Sequence, residues 1–156
     1  DLSIVPFRGN VQTRLAKIAR VEAHATLLAV AGLNRLKFDP LPGTPLPVEA
    51  FLPAAGQGII ALECREGDAA TQALIAPLNH LPSFRALHAE RALLEALDGS
   101  CRTPIAAYAE VENGRLRLRA LLAEPDGSFC RTVEEKGDAA EAEAVGKRAG
   151  ERLKRL

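Results

Sequence analysis

The stretch Ile105-Ala106-Ala107-Tyr108-Ala109-Glu110-Val111-Glu112, Asn113-Gly114, Arg115-Leu116-Arg117-Leu118-Arg119 alternates apolar and more polar residues from Tyr108 to Glu112 and from Arg115 to Arg119, on either side of an Asn-Gly pair. Period-two alternation puts successive side chains on opposite faces of a strand, and Asn-Gly suits the left-handed backbone of a tight hairpin turn. The spacing predicts an antiparallel hairpin with one wet face. Pro125-Asp126-Gly127 predicts a further turn, and Ser128 to Glu134 a third strand.

Helical patterns lie on both sides of this sheet. Pro82 and Ser83 open a helix reaching Leu97, with Phe84, Leu87 and Leu94 on one apolar flank, Leu93 and Leu97 on another, and Gly99 at its end. From Asp138 to Leu156, Ala139, Ala142, Val145, Ala149, Leu153 and Leu156 form a stripe that can cover the sheet's apolar face. The expectation is an α+β domain of about eighty residues, a three-stranded antiparallel sheet with helices on one face.

Upstream the pattern is α/β. Leu2 to Phe7 reads as a buried strand, Arg8-Gly9-Asn10 as a turn with Asn10 as N-cap, and Val11, Leu15 and Ile18 as the apolar positions of a helix. Ala25 to Ala31 reads as a strand buried on both faces, after which Gly32 turns the chain toward Arg35. Asp39 to Pro53 holds Pro40, Pro42, Pro45, Pro47 and Pro53, which excludes a regular helix and marks a connection. Beyond Gly56-Gln57-Gly58, Ile59 to Glu63 reads as a short strand, and Asp68 to His80 as an amphipathic stretch disturbed at Pro77.

Composition sets the class. With 156 residues, 47% hydrophobic and 26% charged, the chain is an ordinary globular protein of one domain or two small ones. Twenty basic side chains balance twenty acidic ones, which argues against nucleic acid or an anionic membrane as partner. Arg115, Arg117 and Arg119 lack interleaved aromatics and read as a solvated strand face. No apolar run approaches the roughly 20 residues of a membrane span, so the expected compartment is the cytoplasm. The absence of Met and the abrupt apolar start read as those of a fragment.

Three places could carry chemistry. Arg8 and Arg14 flank a glycine turn at a helix N-terminus, and Arg35 follows a neighbouring turn; free amides and guanidinium groups there suit carboxylates. Arg8 and Arg14 also read as surface charges, with Asn10 merely a cap, and spacing alone leaves both readings open. Gly56-Gln57-Gly58 permits a sharp turn close to a ligand or another domain. Cys101, in Asp98-Gly99-Ser100-Cys101-Arg102-Thr103-Pro104, stands between helix and sheet beside Arg102; read alone, an inert buried thiol is the preferred account. Cys64 and Cys130 read as structural, and His24, His80 and His88 are too scattered for a metal site.

Taken together, Arg8-Gly9-Asn10-Val11-Gln12-Thr13-Arg14-Leu15, Ala29-Val30-Ala31-Gly32-Leu33-Asn34-Arg35-Leu36, Leu52-Pro53-Ala54-Ala55-Gly56-Gln57-Gly58 and Ala89-Glu90-Arg91-Ala92-Leu93-Leu94 with Leu97 to Ile105 resemble the porphobilinogen deaminase (hydroxymethylbilane synthase) family in order and separation. The resemblance implies part of a periplasmic-binding-protein-like two-domain layer followed by the small α+β domain. By it, residues 1–52 complete the second domain, 53–80 are the crossover and a segment returning to the first, and 81–156 form the third.

It further implies a transferase of haem or other tetrapyrrole biosynthesis. Porphobilinogen and the growing polypyrrole would be its ligands, with no nucleic acid or membrane partner, and the full-length enzyme would be a monomer. Cys101 matches the cysteine joined by a thioether to the dipyrromethane cofactor; Arg8, Arg14 and Arg35 match arginines that neutralise pyrrole carboxylates; Gly32, Gln57 and Gly58 border the bound pyrroles. The family's catalytic aspartate lies upstream of Asp1, so no catalytic residue is assigned here and the chain alone is expected to be inactive. Ser100 stands where family members often have glycine, and His24 where they often have aspartate. The competing reading is a non-catalytic α/β anion-binding module.

Overall fold

A computed structural model describes residues 2–98 and 104–155, in two compact units, Asp1–Leu46 and Pro47–Leu156.

The first unit is built on two helices. Helix α1, Val11–Ala19, starts where Asn10 Oδ1 accepts the Thr13 amide at 2.8 Å, the cap expected from the sequence. It ends with Val21 in left-handed backbone at φ 60°, which lets the Glu22 amide reach back to the Lys17 carbonyl at 3.0 Å. Helix α2, Val30–Arg35, takes in Gly32, which faces Val11, and buries Leu33. Gly32 is thus a helical residue and not the turn that the sequence predicts.

In the second unit, α3 (Ala69–Ile75) is capped by Asp68, whose carboxylate accepts the Thr71 hydroxyl at 2.7 Å and the Thr71 amide at 3.0 Å. These two bonds hold Asp68 below the usual carboxylate range. As expected from Pro77, the helix tightens into a 3₁₀ turn at Ala76–Leu78. Helix α4, Leu81–Ala96, then leads toward the sheet of β1 (Ile105–Glu112), β2 (Arg115–Ala123) and β3 (Cys130–Asp138), and α5 (Ala142–Arg155) closes the unit.

The sheet is antiparallel in the order β1-β2-β3, with Asn113 and Gly114 both left-handed in the hairpin turn. Its register aligns Ala107 with Ala120 and Ala120 with Val133, and sets Ala109 opposite Leu118. These side chains share one face and meet α4 and α5 in a single core. The tail's stripe is buried at Ala139, Ala142, Val145, Ala149 and Leu153. Burying Leu93, Leu116, Leu118 and Leu153 stabilises the unit by roughly 1.5–3 kcal/mol each.

On α4 the expected flank of Leu93 and Leu97 packs in the core, whereas Phe84 of the other flank does not. Ala86, Ala89, Glu90 and Leu93 are buried while Phe84 is exposed. The cause lies on α5: Gly146 meets the Ala89 backbone and Gly150 meets Ala96, so the helices approach closely and only small residues fit between them.

The upstream strands are not formed. Leu2–Phe7, Ala25–Ala29 and Ile59–Glu63 have no regular secondary structure, and Leu2, Ile4, Leu27, Ile60 and Leu62 are exposed. A strand exists only where a neighbour accepts and donates its backbone hydrogen bonds. Among the described residues none does so for these three segments.

Candidate functional site

In the first unit, Gly9 has φ +135°, and a Cβ there would lie 2.8 Å from Thr13 Cγ2, so the turn before α1 requires glycine. This turn brings the backbone of Arg8 and Gly9 over the first turns of the helix. Lys17 Nζ donates to the Arg8 carbonyl at 3.2 Å, and Arg14 Nε donates to the Gly9 carbonyl at 2.9 Å. Arg14 is thereby oriented through one nitrogen, and its two terminal nitrogens have no partner among the described residues. Arg8 and Arg35 are exposed, and neither guanidinium forms an ion pair with a described residue.

The charge of this unit is lopsided. Residues 1–46 hold six Lys or Arg against three Asp or Glu. Whole-chain neutrality concealed this local excess, which counting by segment would have found. Three uncompensated guanidiniums suit a ligand that carries several carboxylates.

In the second unit, the crossover behaves as a strap. The Ala107 amide donates to the Pro53 carbonyl at 3.0 Å, and Ala54 forms an isolated antiparallel bridge with Ala106. Gly56 and Gly58 follow at φ +74° and +79°, so the tight turn expected at Gly56-Gln57-Gly58 is present, with Gln57 and Gly58 exposed. Glu49 at the strap's start pairs with Arg119 at 3.3 Å.

Two charged side chains here are buried. Arg119, expected on a solvated face, is buried: it bonds Glu49 and Glu110, lies 5.5 Å from the Tyr108 ring, and its Nε has no partner among the described residues. Glu90 is also buried; its Oε2 accepts the Gly56 amide at 2.6 Å and its Oε1 the Ala109 amide at 2.8 Å. Burial pushes its carboxyl above the usual range, against the pull of those two amides. No local sequence signal marks either residue, because their partners are far away in the chain.

Cys101 and Ser100 lie outside the described residues. Of the other thiols, Cys64 is half-buried and Cys130, at the start of β3, is exposed, so a packing role does not account for Cys130. His88 pairs with Glu143 at 2.8 Å, and His24 is exposed. No described helix is long and apolar enough to cross a membrane.

Comparison with known protein families matches residues 1–73 to the dipyromethane cofactor binding domain of porphobilinogen deaminase. Residues 84–155 match the C-terminal domain of the same enzyme. With both matches in order and most of the sequence covered, the chain belongs to the porphobilinogen deaminase family.

Proposed function

We propose that this chain is part of a hydroxymethylbilane synthase, a cytoplasmic transferase of tetrapyrrole and haem biosynthesis that joins four porphobilinogen units on a cysteine-bound dipyrromethane primer, expelling ammonia at each addition. Family membership implies a transferase acting on porphobilinogen. The observation that carries the finer reading is the set of unpaired guanidiniums in a unit belonging to a cofactor binding domain. Each pyrrole brings acetate and propionate groups, and Arg fits such planar anions with paired hydrogen bonds.

In this reading Cys101 is the covalent anchor. It would hold the dipyrromethane through a thioether at its sulfur, and Arg102 stands next to it in the sequence. When bound, the dipyrromethane supplies the pyrrole carbon from which the chain of rings grows. Arg14, held by the Gly9 carbonyl, presents its terminal nitrogens to carboxylates, and Arg8 and Arg35 add to that field. Gly32, Gln57 and Gly58 border the bound rings. Residues 1–52 belong to a periplasmic-binding-protein-like layer, and the full-length enzyme acts as a monomer.

Intact mass of the longest form of this protein from its own cells tests the reading. An adduct of two pyrrole units that disappears in Cys101→Ala is expected. No adduct, with polycarboxylate binding retained, would instead establish an anion receptor.

A further inference from the structure

Strand β1 is the outer strand of its sheet, and two of its outward amides are taken in different ways. The strap runs beside it for a few residues, where the Pro53 carbonyl accepts the Ala107 amide at 3.0 Å and Ala54 faces Ala106. The strap then leaves the strand at the left-handed Gly56, and the next outward amide, Ala109, has no backbone acceptor among the described residues. The Glu90 carboxylate fills that gap, one oxygen on Ala109 and the other on Gly56.

From this we infer that Glu90 is a positioning residue, a side-chain latch that fixes where the Gly56-Gln57-Gly58 turn leaves β1 and so how Gln57 and Gly58 are presented. A carboxylate is the suitable group, because both partners are N–H donors and only an ionised carboxyl offers two oxygens that accept without donating. Glutamine would satisfy one amide and oppose its own NH2 group to the other.

The surroundings isolate the latch from other charges. Arg91 and Glu95 of α4 are exposed; Glu110 and Glu112 of β1 lie on its other face; Glu143 of α5 is engaged with His88, and Glu49 of the strap with Arg119. Among the described residues none of them contacts the Glu90 carboxylate. Protonation of Glu90 is therefore the event that releases the turn. Burial places that event above the ordinary glutamate range, so on acidification the latch opens before an exposed glutamate would be protonated.

The ligand consequence rests on the proposed function, but the test uses no ligand, so the two fail separately. In the ¹⁵N-labelled chain, the Gly56 and Ala109 amide resonances should titrate together, with a common midpoint above the ordinary glutamate value of about 4.3. Glu90→Gln should abolish that titration and lower protection from exchange at Gly56 about tenfold, leaving Leu118 and Val133 protected as before. Separate titration of the two amides, or an ordinary midpoint, would overturn the latch. So would unchanged protection at Gly56, or an equal loss throughout the sheet. If Glu90→Gln does not fold, the titration of the unaltered protein decides.

Discussion

Gly146 on α5 lies against the Ala89 carbonyl of α4 so closely that a methyl group in its place would overlap that oxygen and stand 2.9 Å from Ala92 Cβ. The obstacle is backbone inside a two-helix contact, which has no rotamer with which to yield. Gly146→Ala should therefore cost about 3 kcal/mol of stability in urea unfolding, despite alanine's better helix propensity. A loss below about 1 kcal/mol would mean that the helices separate easily.

Arg119 presents the opposite case. It is buried with an Nε that has no partner among the described residues, while Glu49 and Glu110 are both more than one-third exposed and able to hydrate without it. Arg119→Met, which keeps the apolar stem, should leave the second unit as stable as before or more stable by up to about 2 kcal/mol. Thermal unfolding measures this, and a clear drop in Tm would show that the ion pairs outweigh the buried nitrogen.

The wet face of the sheet should give the unit an acid-sensitive component. Arg117, at 2.6 Å, and Lys136, at 3.0 Å, hold the Glu134 carboxyl down at about 2. Because the folded value lies below the unfolded one, this contribution is complete above about pH 4.5 and is lost as pH falls toward 2. The difference in Tm between the parent and Glu134→Gln should shrink across that window. It should be small in high salt, since the group is exposed. A difference that persists at pH 2 would exclude this ion pair as its source.

Val21 closes α1 in left-handed backbone, where its branched side chain crowds the following carbonyl. Val21→Gly should relieve about 1 kcal/mol of strain. Slower amide exchange at Arg20 and Glu22 is the expected sign, and faster exchange would show that the gain in unfolded-chain entropy dominates.

How far the sequence anticipates this architecture depends on the distance between partners. The hairpin is readable because Asn113-Gly114 carries its turn within two residues, and α5 because its stripe repeats every three or four. Leu2–Phe7 and Ile59–Glu63 have the composition of buried strands, but composition cannot provide a hydrogen-bonding neighbour. Arg119 reads as a surface charge, and nothing local singles out Glu90, because Glu49 and Gly56, which share in their burial, lie 70 and 34 residues away. Arg8, Arg14 and Arg35 could be named from their motifs, whereas the tie from Arg14 to the Gly9 carbonyl needs three-dimensional placement.

The occupied amides of β1 also limit how the sheet can grow. With Ala107 engaged by Pro53 and Ala109 by Glu90, a foreign strand meets no continuous row of free donors along that side. The other side is β3, where Arg131, Glu134, Glu135 and Lys136 place charge along the strand. A three-stranded sheet bounded in this way resists edge-to-edge polymerisation, so crowding of many copies at high concentration should leave it discrete.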